Sequence, residues 1–143
     1  MPLWRVFSHP STFTPAQREA LSTDITSIYT RGGLPAFYVN VIFIDVPETA
    51  VYVGGKPRTN FVRFVVEHIA RNFQSTEHMK GFMDRAEAKL KPYVADRGNL
   101  DWEIHVSETP RPLWRIQGLE PPPANSEAEK EWFMKDRALQ WKL

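Results

Sequence analysis

Pro2-Leu3-Trp4-Arg5-Val6-Phe7 follows Met1 directly, and this apolar, aromatic run reads as a strand starting close to the N-terminus. Removal of Met1 leaves the secondary amine of Pro2 as a free terminus at the end of a rigid element. An α-amino group titrates near about 8, and burial or a neighbouring cation penalises its charged form. A neutral amine is a good proton acceptor, so Pro2 is the first candidate functional residue, as base or nucleophile.

Outward from this strand, Thr14-Pro15-Ala16-Gln17 carries helix-start chemistry: a capping threonine, proline at the first helical position, and a glutamine placed to reach back. Leu21, Ile25, Ile28 and Tyr29 recur at helical spacing until Gly32-Gly33. Phe37 to Val46 follows as a β-branched and aromatic run bounded by prolines, expected to be a strand buried on both faces. Val51-Tyr52-Val53-Gly54-Gly55 reads as a short extended piece and a turn, leading to a second apolar strand over Asn60 to Ala70. Ser75 is placed to cap a helix bearing Met79, Phe82, Met83, Ala86 and Leu90, which Pro92 ends. Asp101 to Ser107 alternates Trp102, Ile104 and Val106 with Glu103 and His105, as a half-exposed strand does.

Two β-α-β units in an α/β (α+β) chain predict a four-stranded sheet with both helices on one face, because the crossovers share a hand. The second face then needs cover, most simply from other subunits. Beyond Pro110 the chain becomes a proline-rich arm, with Pro121-Pro122-Pro123, ending in a helix opened by Ser126 with Glu129 as its capping partner and carrying Trp132, Phe133 and Leu139. Residues 1–118 are read as the main domain, and 119–143 as an arm and helix packing on the body or a neighbouring subunit.

At 143 residues the chain is long enough for one domain burying roughly 70% of its unfolded surface. It has no cysteine, which excludes disulfides, thiol catalysis and cysteine-bound zinc. Eighteen basic against 17 acidic side chains, without a Lys/Arg run, argue against nucleic acid as a partner. The longest apolar stretch, Val39 to Val46, is too short to cross a bilayer, so no membrane is expected and the compartment is expected to be cytoplasmic. His9, His68 and His78 lack ligand spacing with carboxylates, so no metal is expected. Gly54-Gly55-Lys56-Pro57 lacks the Walker pattern for phosphate.

Pro2 before a strand, the duplicated β-α-β units, Thr14-Pro15, Ile25-Thr26, Val53-Gly54-Gly55, Arg71 followed by Ser75, and the Glu108-Thr109-Pro110 turn together resemble the tautomerase superfamily. Within it they are most similar to the branch of cis-3-chloroacrylic acid dehalogenase. The likeness spans most of the chain up to about Gly118. It implies a trimer, or an assembly of trimers, with no cofactor and one site per Pro2. It also implies that Pro2 acts as the amino-terminal base and that Arg71 grips a substrate carboxylate through its planar fork. Other positions depart from that branch: Tyr29 stands where it has a helix histidine, Gln74 for a second arginine, His105 for a tyrosine, and Ile116 or Gln117 for a glutamate. Without that glutamate to activate water, proton transfer is expected in preference to hydration or dehalogenation.

The candidate catalytic set is therefore Pro2, Arg71, His105 and Tyr29, the last two as donors to an enolate oxygen. Gln74, Gln117, Trp114 and Arg115 are candidates for contacting substrate. The expected activity is that of a tautomerase or isomerase acting on a small keto–enol or unsaturated carboxylate molecule. The rival readings are a dehalogenase or hydratase of the same superfamily, a non-catalytic trimeric binding module, and a dimeric α+β barrel that needs no terminal proline.

Overall fold

Strand β1 (Leu3–Ser8) pairs in parallel with β2 (Asn40–Asp45) on one side and antiparallel with β3 (Phe61–His68) on the other. Strand β4 (Asp101–Glu108) completes the sheet in parallel with β3, so the order is β2-β1-β3-β4. The computed structural model describes residues 1–141. Each parallel pair encloses one helix in the connection: α1 (Pro15–Thr30) between β1 and β2, and α2 (Thr76–Leu90) between β3 and β4. Two β-α-β units thus meet back to back at the antiparallel β1/β3 pair.

Both helices start where the cap chemistry puts them. Thr14 and Gln17 form a reciprocal capping box at 2.9 and 3.2 Å, and Ser75 accepts from the His78 amide at 3.2 Å. Leu21, Ile25 and Tyr29 of α1 and Phe82, Ala86 and Leu90 of α2 are buried against one face of the sheet and against each other. Asp24 of α1 ties the helices together, accepting from Lys89 at 2.8 Å and from the Tyr93 hydroxyl at 2.7 Å. On the sheet, Trp4, Val6, Val62, Phe64 and Val66 point to this side and are fully buried.

Among the described residues the other face of the sheet carries no α-helix; the segment Ala50 to Val53 lines a hollow with Phe7, Phe61, Arg63 and Val65 at one end of it. Ile42, Arg5, Val65 and His105 lie side by side across all four strands. Ion pairs Arg5–Glu67 and Arg63–Glu103 cross neighbouring strands on this face. The strand expected over Phe37 to Val46 is shorter than its apolar run, and it is not buried on both faces: β2 is an edge strand, with Ile42 48% exposed. Phe37 and Tyr38 instead form a tight turn, Ala36–Tyr38, that feeds their rings into the core. The strand expected over Asn60 to Ala70 stops at His68, because Ala70 takes φ 83 and turns the chain away from the ladder.

The arm returns over the start of β2 and ends in α3 (Glu127–Lys135). Trp132 of α3 is fully buried, with its ring 6.0 Å from Phe37 and 6.2 Å from Tyr38. Ser126 caps α3 through the Glu129 amide at 3.2 Å, but the Glu129 side chain does not close the expected capping box. It turns inward.

Candidate active site

The end of β3 organises the site. The Ala70 carbonyl accepts from two guanidinium groups, Arg71 Nη1 at 3.1 Å and Arg111 Nη1 at 2.9 Å. Arg111 also donates to the carbonyls of Pro121 and Pro122, fastening the arm, and lies 5.5 Å over the Trp114 ring. Arg71 presents its fork to Glu129, donating at 3.1 Å to Oε1 and 2.7 Å to Oε2. Glu129 is 2% exposed and also takes the Asn125 amide at 2.7 Å. A carboxylate this deep is tolerable only because charged and backbone donors surround it.

Pro2 is buried at the head of β1, and its carbonyl accepts from the Asn40 amide at 2.9 Å. The preceding Met1 is half-buried against the core. Burial, helped by the charge of Arg111, pulls the terminal amine from its ordinary 8.0 down to about 4. The amine at the start of this chain is therefore neutral at neutral pH.

Tyr38 lies between the two arginines and the aromatic core. It is fully buried, and its hydroxyl has no hydrogen-bond partner among the described residues. Burial and then the Glu129 charge push its pKa up, against the pull of Arg111 and Arg71. The hydroxyl thus keeps its proton.

A cavity of about 520 Å³ opens beside Arg71, walled by Tyr29, His68, Phe73, Gln74 and Phe82, with Arg111 among its lining residues. His68 is 5% exposed, stacks on Phe73 at 4.4 Å, and meets Phe82 edge-on at 5.0 Å. Its Nδ1 has no partner among the described residues, and burial lowers its pKa to about 4, so the ring is neutral. The Tyr29 hydroxyl accepts from Trp4 Nε1 at 2.9 Å, and burial raises its pKa.

Of the residues singled out in the sequence, Tyr29, Arg71 and Gln74 line this one cavity. Trp114 is buried behind it, edge-on to Tyr38 at 4.9 Å. Arg115 faces Glu120 at 3.5 Å, and Gln117 sits in an exposed turn at φ 51. His105 is exposed on the uncovered face of the sheet, away from the cavity within one chain. Arg111 and Phe73 at the cavity, and Tyr38 and, except as a cap, Glu129 behind it, had no mark in the sequence. A glutamate three residues after a capping serine already has a local explanation, which masked it.

A family model described as "Putative oxalocrotonate tautomerase enzyme" matches residues 1–137. The chain is 47% identical to native RhCC from Rhodococcus jostii RHA1, with TM-score 0.94 over 97% of this chain and 99% of that one. It is 42% identical to a probable enzyme from the thermophilic fungus Aspergillus fumigatus, with TM-score 0.93 over 99% and 98% of the two chains. The fold alone is shared with N1, a member of the cis-3-chloroacrylic acid dehalogenase family, at 20% identity and TM-score 0.72 over 92% and 90%. Solved fused 4-OT proteins of this fold are trimers. No curated protein matches the chain.

Proposed function

The chain belongs to this oxalocrotonate tautomerase family, and from that premise we propose that it is a cofactor-independent tautomerase in which Pro2, freed by removal of Met1, is the general base. The observation that carries this reading is the state of the chain-start amine, desolvated and beside Arg111 so that it is neutral at neutral pH. A proline amine at the buried Pro2, one residue further along, takes a proton from the carbon next to a substrate carbonyl. The Arg111 charge stabilises the enolate oxygen as charge builds on it, and the proton returns to that oxygen. Tyr29 and Arg71 shape the adjoining cavity, and a homotrimer covers the open face of the sheet.

The test is enol–keto exchange on phenylpyruvate and its methyl ester, using protein shown by intact mass to begin at Pro2. Pro2→Ala is expected to abolish exchange on both, and unchanged turnover would sink the mechanism. A non-catalytic scaffold is the second reading, favoured by the packing of Met1 against the core. In that case intact mass reveals a retained methionine, whose amide to Pro2 leaves the ring nitrogen without basicity.

A further inference from the structure

We propose that the site takes an uncharged carbonyl compound bearing an aromatic or bulky apolar group, and that it disfavours carboxylates. This rests on the reading of Pro2 as the enolising base and concerns what that base acts upon.

The guanidinium best placed to hold a carboxylate already holds one. Both outer nitrogens of Arg71 are engaged by Glu129 at 3.1 and 2.7 Å, and Glu129 is anchored from behind by the Asn125 amide. A substrate carboxylate has to displace this buried group and leave it unpaired, a heavy penalty for a charge out of water. The other inner arginine, Arg111, is held by three backbone carbonyls and has no carboxylate partner among the described residues. A neutral ketone or aldehyde acquires one negative charge only on becoming an enolate. A lone compensating cation is therefore matched to the transition state and not to the ground state. A substrate that begins as a carboxylate becomes a dianion there.

The walls agree with this. Gln74 is neutral and donates to the Asn72 carbonyl at 3.0 Å. Tyr29, Phe73 and Phe82 line the apolar side, and the volume, about 520 Å³, admits a ring. Arg85 is exposed at the rim, where solvent screens it. Arg111, which lines the cavity, supplies the donor that a carbonyl oxygen needs, and the Tyr38 hydroxyl, without a partner among the described residues, lies buried behind the wall. The step is a balanced proton shift: the C–H bond breaks to Pro2 nitrogen, the electron pair moves to oxygen, and the same proton forms the O–H bond.

Calorimetric binding of cinnamamide and cinnamate, alike in shape and different in charge, tests the inference apart from catalysis. The protein is expected to bind the amide at least about tenfold more tightly than the acid, and Glu129→Gln to raise cinnamate affinity about tenfold while leaving cinnamamide within about twofold. Tighter binding of the acid by the unaltered protein overturns the inference, as does failure of both probes to bind at millimolar concentration. A folded Glu129→Gln protein with unchanged cinnamate affinity overturns it as well. Should that variant fail to fold, the comparison in the unaltered protein decides. If the preference holds while Pro2→Ala retains turnover, the catalytic reading falls and the preference stands.

Discussion

The Tyr38 ring is clamped among Phe37, Trp114 and Trp132, but its hydroxyl bonds nothing among the described residues. Tyr38→Phe is expected to leave stability within ~1 kcal/mol in urea titration, since no hydrogen bond is lost. His68 gives a test of pH. Held neutral down to about 4 against an ordinary 6.5, it leaves the unfolded chain binding the extra proton between those values. Its contribution is thus complete above pH 6.5 and is lost as pH falls towards 4. The chain-start amine, lowered from 8.0 to about 4, adds a slope of the same sign. His68→Phe keeps the stack on Phe73, and urea midpoints are expected to fall less steeply across that window. Arg71, Gln74 and Tyr29, singled out through the resemblance to a known family, line one cavity. Tyr38 and Arg111 were not singled out, because their roles arise where distant segments converge and no local spacing encodes that.

Helix α3 is short, and two side chains fix it. Trp132 inserts into the aromatic core and Glu129 pairs with Arg71. Glu129→Ala removes the partner of a guanidinium that is only 24% exposed and also orphans the Asn125 amide. The expected loss is on the order of 3 kcal/mol, measured by thermal and urea unfolding. Helices α1 and α2 could be read from their caps and apolar period, because local chemistry and tertiary packing there ask for the same residues. The apolar run before Val46 misled on burial because its outward residues serve a face that one chain leaves bare. Edge position is a property of strand order, which composition does not carry.

The bare face defines the whole molecule. Ile42, Arg5, Val65 and His105 form a row across it, with ion pairs on adjacent strands. Sedimentation is expected to return a trimer for the unaltered protein and a monomer for Ile42→Arg, which sets a charge in the middle of the proposed contact. A monomeric unaltered protein would remove the trimer from the proposal. The two parallel pairs follow from the β-α-β repeats legible in the sequence, whereas their antiparallel meeting at β1 and β3 and the closure of the arm over the core do not, since proline-rich segments declare stiffness and not destination. The indoles also divide by neighbourhood: Trp4 and Trp102 belong to the sheet, while Trp114, Trp132 and Trp141 belong to the arm and tail, the last donating to the Glu120 carbonyl at 2.7 Å. Peeling of the tail should therefore redden the intrinsic emission while the ultraviolet dichroism of the sheet persists, giving an unlabelled optical gauge of how the two part company.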